Sequence, residues 1–227
     1  LMKEKITFNF GWIIVGTSFV TLALAYGVWY SFSVFFVALL KEFGWSRSLT
    51  AGAFSFFAVL HSLIGPFVGT MVDRFGPRRV IPLGSLFLGV GLALCSLIKT
   101  CWQFYIFFGV ITAVGVGSIG WIPNTTIIQH WFKEKRGMPI GIISSGVGVG
   151  ILVCIPSVQH LITRVGWRMT FLIMAFSIPL IVAGMAVVFL KRPLRNTEFC
   201  QIKEEVSPVV IKDSLVVNEE WAARSWT

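Results

Sequence analysis

Gly69-Thr-Met-Val-Asp73-Arg74-Phe-Gly76-Pro-Arg78-Arg79 is the most charge-dense patch in the first half of this chain, and an apolar run abuts it on each side. An acid followed by arginines, punctuated by glycines, in so short a link between two apolar segments reads as the loop between two membrane helices. The composition agrees. Hydrophobic residues make up 56% of the 227 and charged residues only 13%, with mean hydropathy +0.82, whereas soluble domains carry about 25% charge. A chain this poor in charge cannot cover its surface with polar groups, so lipid must be most of its solvent.

Working outward from the loop, six uncharged apolar stretches are long enough to span a bilayer: Gly11–Leu40, Leu49–Val72, Val80–Ile98, Phe104–Gln129, Gly137–Thr163 and Met169–Leu190. None contains Asp, Glu, Lys or Arg, and each spans a hydrocarbon core of about 30 Å at ~1.5 Å per residue. The expected fold is therefore all-α, with residues 1–10 as a cytoplasmic N-terminus, 11–190 as a six-helix membrane domain and 191–227 as a cytoplasmic linker. The first apolar run is too long for the h-region of a signal peptide. Leu1 followed by Met2 suggests that Met2 is the start or that the chain is an excerpt.

Alternate links differ in positive charge. Lys3, Lys5, Arg74, Arg78, Arg79, Lys133, Lys135, Arg136, Lys191, Arg192 and Arg195 fall on one side, and Lys41, Arg47, Lys99, Arg164 and Arg168 on the other. The richer side is expected to be cytoplasmic, together with both termini. The net charge of +9 is then an orientation signal. No continuous basic face exists for nucleic acid. Cys95, Cys101, Cys154 and Cys200 form no CxxC pair and no His/Cys metal spacing, so they read as small hydrophobes and no cofactor is expected. In the linker, Asn218–Arg224 has the N-cap and acidic first turn of a short surface helix anchored by Trp221 and Trp226; a disordered tail is the alternative.

The opening stretch has an echo. Asp73-Arg74-Phe-Gly76-Pro-Arg78 closes the second span and Thr163-Arg164-Val-Gly166-Trp-Arg168 closes the fifth, with Arg74 and Arg164 90 positions apart. Spans one to three and four to six thus read as two copies of a three-helix unit (about 11–98 and 104–190), the second inverted because three is odd. Such inverted repeats are a hallmark of secondary transporters, whose sites lie near the midplane between repeats. The copies differ at Asp73, which is Thr163 in the second. A carboxylate at a helix C-terminus opposes the dipole, so Asp73 needs positive compensation nearby.

Gly69-x-Met-x-Asp73-Arg74-x-Gly76-x-Arg78, between the second and third of six spans, resembles the signature loop of the major facilitator superfamily, with Met71 for the usual Leu and Pro77 where a basic residue is common. That resemblance implies that Gly69, Asp73, Arg74, Gly76, Arg78 and Arg79 form a latch that releases during alternating access. Finer features resemble the monocarboxylate carrier and oxalate/formate antiporter branch. They are Tyr26-Gly-x-x-Tyr30-Ser-Phe-Ser-Val-Phe-Phe36, Phe43-Gly-Trp-Ser-Arg47, Trp131-Phe-Lys-Glu-Lys-Arg136-Gly and Gly166-Trp-Arg168. The lysine found near the position of Tyr30 in animal monocarboxylate carriers is missing here, which tilts the resemblance to the microbial branch. Family members have twelve spans, so the resemblance implies that a C-terminal six-helix half is absent from this chain and that the seventh span would begin near Arg224–Thr227.

Few polar groups line these spans. Tyr26 and Tyr30 share a helical face with Trp29 and Ser33 beside them, a surface able to cradle a small organic anion or, equally, an aromatic packing stripe. His61 is the only ionisable group deep in a span, and such groups are functional candidates by default; a structural histidine bonded to a carbonyl is the alternative. Asn124, Thr125, Gln129, Ser144 and Ser145 add donors whose commoner role is interhelical bonding. No buried Lys or Arg neutralises a carboxylate, so that charge is expected from the other half. The reading is a secondary transporter of small carboxylates in a plasma (inner) membrane, not an enzyme, since no catalytic constellation is present. A porter of sugars, nucleosides or drugs, and a self-dimerising six-helix half-transporter, remain as alternatives.

Overall fold

The computed structural model describes residues 2–132 and 137–189, with side chains at 11–129, 131–132 and 137–186. The helices are α1 (Met2–Phe43), α2 (Arg47–Phe75), α3 (Pro77–Cys95), α4 (Cys101–Phe104), a π-helical turn pair (Tyr105–Thr112), α5 (Ala113–Ile119), α6 (Trp121–Trp131), α7 (Gly137–Val165) and α8 (Trp167–Phe189). Six stretches are long and apolar enough to cross a membrane: Gly11–Phe43, Arg47–Phe75, Pro77–Cys95, Cys101–Gln129, Gly137–Val165 and Trp167–Ala186. These match the six expected spans, and among the described residues there is no strand. α1 begins earlier than its apolar run because nothing in Met2–Phe10 is a glycine or proline that would stop it. The linker 191–227, its expected surface helix and Cys200 lie outside the described residues, as do the basic residues at 133–136 and 191–195.

α1 packs chiefly on α7, α2 on the π-helical segment and α5, and α3 on both α8 and that same fourth span. Small residues four apart in the sequence, Gly109, Ala113 and Gly117 on the fourth span and Gly146 and Gly150 on α7, make these seams. A Cβ on Gly150 would collide with the backbone of Ala23, and one on Gly146 would sit 2.8 Å from the Phe19 carbonyl, so α1 and α7 meet backbone to backbone. A Cβ on Gly109 would lie 2.7 Å from the Phe56 ring of α2. At the centre, Phe108 stacks against Phe32, Phe57 and Phe104 at centroid distances of 5.2, 5.0 and 5.3 Å.

Two of the links between successive spans contain a single residue. α2 passes into α3 through Gly76 (φ 78°) and α7 into α8 through Gly166 (φ 82°), both in the positive-φ region that a side chain disfavours. Each closes the preceding helix by the same bond, Gly76 N to Val72 O at 2.9 Å and Gly166 N to Ile162 O at 3.0 Å. The opening stretch is therefore hardly a loop. Asp73 and Arg74 sit in the last turn of α2, and Pro77 occupies the first turn of α3, where its missing N–H is harmless.

The fourth span departs from the single helix that its hydropathy suggests. Thr112 Oγ1 donates to the Phe107 carbonyl five residues back (3.0 Å) in the π-helical segment, and at Gly120 (φ −79°, ψ −143°) the helix breaks. Pro123 has no N–H for the Ile119 carbonyl. The Asn124 amide supplies the missing donor, bonding the carbonyls of Ile119 and Gly120 at 2.8 Å each.

Candidate functional site

The three aromatic residues singled out on α1 form one group, and α2 completes it. Trp29 stacks between Tyr26 (5.7 Å between centroids, planes 14° apart) and Tyr30 (6.3 Å, 24°). The indole also meets His61 edge-on at 4.5 Å and Phe57 at 5.0 Å. His61 also lies parallel to Phe57 at 6.1 Å, so indole and phenyl rings fix the imidazole from two directions. Its buried Nδ1 makes no hydrogen bond of good geometry, although the imidazole interacts with the backbone of Ala113 on the fourth span. Across the ring lies the fourth span, where a Cβ on Gly117 would come to 3.7 Å from that nitrogen. Tyr26 and Trp29 are half-buried and Tyr30 is 44% exposed, so the group is walled on one side and open on the other. It offers two phenolic hydroxyls and an imidazole beside a flat aromatic wall, a surface that can donate to an acceptor-rich ligand and exclude water from its apolar part.

The other expected donors are not part of this group. Ser33 is exposed and donates to the Tyr30 carbonyl at 3.0 Å. Thr125 Oγ1 bonds the Trp121 and Ile122 carbonyls (2.9 and 3.0 Å), and Ser144 and Ser145 bond the Ile140 and Ile142 carbonyls (2.7 Å each). These hydroxyls serve their own helices rather than bridging two. Asn124 is 1% exposed, with both amide hydrogens committed as described above. It lines a separate small crevice with Thr17, Ser18 and Thr21 of α1. Phe57 was not foreseen. It looks like any other core phenylalanine until α2 is docked on α1.

At the Gly69–Arg79 corner, Asp73, Arg74 and Arg79 are exposed and Arg78 half-buried, and among the described residues no ion pair links Asp73 to an arginine. Arg74 lies 5.6 Å from the centroid of the Phe75 ring instead. No side chain caps the start of α3. Among the described residues, none pairs with Asp73 to supply the compensation that it needs.

Known proteins resemble this chain over most of its length. The family model described as Major Facilitator Superfamily matches residues 18–223. Among curated proteins, Monocarboxylate transporter 3 of Mus musculus is 32% identical over 165 residues, covering 73% of this chain and 33% of its own length. Monocarboxylate transporter 9 of Rattus norvegicus is 28% identical over 213 residues, 93% of this chain and 41% of its own length. Monocarboxylate transporter 13 of the same species is 27% identical over 191 residues, 84% and 44%. The chain therefore spans between a third and somewhat under half of the length of these relatives. All three are animal proteins, so the tilt toward a microbial branch gains nothing from them.

Proposed function

The chain belongs to the Major Facilitator Superfamily, a multi-pass membrane protein, and we propose that it is the N-terminal half of a secondary transporter of small organic anions. The observation that carries this reading is the contact of His61 with Trp29 beside the Tyr26 and Tyr30 hydroxyls. It puts the histidine of the second span next to the aromatic donors, on a face left open. The names of the relatives support a monocarboxylate as substrate class.

Transport is by alternating access between this half and a second one, with the N-terminus and linker cytoplasmic in the plasma membrane. Support for the inverted repeat comes from the packing. If spans one, two and three exchange with four, five and six, the pair of spans one and five maps onto two and four, and three with six maps onto itself. These are major contacts of the bundle, although the equally extensive packing of the third span on the fourth has only a small counterpart between the first and the sixth. The two glycine links, Gly76 and Gly166, are related in the same way.

The second and fifth spans are the least covered within this chain, and each presents a stripe of small or polar residues at steps of three and four. On α2 these are Ala51, Ser55, Ala58, Ser62, Pro66, Gly69 and Asp73; on α7 they are Gly137, Gly141, Ser145 and Gly148 and, past the exposed Leu152, Pro156, Gln159 and Thr163. Lipid needs no such stripe, and a facing helix does. The second half docks there, brings a positive group to Asp73, and supplies the cation that neutralises a bound carboxylate.

Reconstituting the two-half protein in liposomes and measuring uptake of labelled lactate, oxalate, glucose and uridine tests the proposal. Uptake of a carboxylate that falls at least tenfold in His61→Ala and Trp29→Ala is expected. Uptake of the sugar or nucleoside alone would assign the protein to another substrate class. Carboxylate uptake that survives removal of every basic residue in the later spans would overturn the counter-charge.

A further inference from the structure

At the end of the bundle opposite the Gly69–Arg79 corner, the link between α3 and α4 and the first turns of α8 enclose a cleft of about 540 Å³, lined by Ser96, Leu97, Lys99, Gln103, Arg168 and Leu172. Nothing in the transport reading uses it. Its polar atoms are one-sided. The Gln103 side-chain oxygen accepts from the backbone N–H groups of Lys99 (2.9 Å) and Thr100 (3.2 Å), which fixes the amide so that its NH₂ is the end left over. Ser96 spends its hydroxyl proton on the Ala93 carbonyl at 2.6 Å. Lys99 and Arg168 are exposed, and among the described residues neither has an acidic partner. Arg168 lies 4.8 Å over the Trp167 ring, a contact that orients the guanidinium without neutralising it. An ammonium, a guanidinium and an amide NH₂ at one cleft, with no carboxylate, select an anion rich in acceptor oxygens.

The apolar part of the cleft decides between a soluble anion and a lipid. Leu97 is 66% exposed and Leu172 half-buried. One helical turn beyond Leu172, Phe176 is 74% exposed, and two turns before Leu97, Val90 is 55% exposed. The donors sit where the third span ends and the sixth begins, at Cys95 and Trp167. That is the depth of the headgroups, and the apolar surface continues from it along the spans. We infer that this cleft binds the phosphate of a phospholipid headgroup, with the acyl chains lying along α3 and α8. A free carboxylate or phosphate would satisfy the same donors but has no use for the apolar track.

The test is native mass spectrometry of the detergent-purified protein titrated with palmitoyl-oleoyl phosphatidylglycerol and, in parallel, with dioleoylglycerol, which lacks the phosphate. The phospholipid is retained and the diacylglycerol is not. Lys99→Gln combined with Arg168→Gln lowers phospholipid retention by roughly tenfold, while Lys41→Gln with Arg47→Gln, at the same end but outside the cleft, leaves it unchanged. Equal retention by the cleft variant and the parent protein overturns the inference. Binding of inorganic phosphate or lactate as tight as that of the phospholipid, with no gain from the acyl chains, also overturns it and assigns the cleft to a soluble anion. Should the Gln pair fail to fold, Lys99→Arg with Arg168→Lys keeps both charges and must retain the lipid; its loss would equally count against the site.

Discussion

Residues that look alike in the chain do different work in the structure. Gly69 and Gly76 both belong to the opening stretch, yet a Cβ on Gly69 would meet nothing within 4 Å, whereas Gly76 holds φ 78°, ψ 151°. That backbone region is nearly glycine-only and costs about 1–3 kcal/mol for another residue. Gly76→Ala should therefore lower the thermal midpoint of the purified protein, and Gly69→Ala should leave it within error. Thermal unfolding followed by intrinsic fluorescence, with its nine tryptophans, reads both. Asp73 asks a separate question, because it has no ion pair among the described residues. In the two-half transporter Asp73→Asn should impair uptake more than Arg79→Gln at matched expression; equal uptake would count against a latch. The acid stood out in the sequence because its repeat partner is Thr163. The contact of His61 with Trp29 did not, since no periodicity within one helix says which face of another it will meet.

At the scale of elements, five of the six spans were legible from hydropathy and the fourth only in part. A hydropathy window averages over side chains and is blind to backbone hydrogen bonds, so the π-helical segment Tyr105–Thr112 and the break at Gly120 leave no mark in it. Gly120 and Pro123 were the available signals, but membrane helices tolerate both residues without breaking. Asn124 repairs this break. Asn124→Leu should destabilise the protein by about 1–3 kcal/mol, the cost of leaving a buried carbonyl without its donor, and should depress uptake only in proportion to folded protein. Were Asn124 a substrate ligand, uptake per folded molecule would collapse instead, so unfolding midpoint and uptake measured on one preparation separate the two. The seam between α1 and α7 was better announced, by Gly146 and Gly150 four apart. Gly150→Val should be far more destabilising than Gly148→Val, because a Cβ at 150 strikes the Ala23 backbone and one at 148 meets nothing within 4 Å.

At the scale of the whole molecule, the outward surface of the six helices is of two kinds. One is built of large apolar side chains, such as Leu63 (60% exposed), Phe67 and Phe56 on α2. The other is the small-residue stripe on the same helix, including Ser62, whose hydroxyl bonds the Ala58 carbonyl at 3.0 Å. Both kinds were present in the sequence, but hydropathy scores them together, and only the docking of α2 on the fourth span shows which arcs stay uncovered. Neighbouring residues on α2 are about 100° apart around the helix axis, so Ser62 and Leu63 sample the two surfaces at the same depth. A large side chain is at home against lipid, where tails repack around it at little cost. Against a facing helix it holds the backbones apart, and close packing was the source of the association. Ser62→Trp should therefore abolish uptake by the two-half transporter while leaving the unfolding midpoint of the purified 227-residue chain unchanged, and Gly141→Trp on α7 should do the same. Leu63→Trp should retain uptake near that of the parent protein. If Leu63→Trp is as damaging as Ser62→Trp at matched expression, the stripe does not face a partner helix, and the docking of a second half on α2 and α7 is wrong.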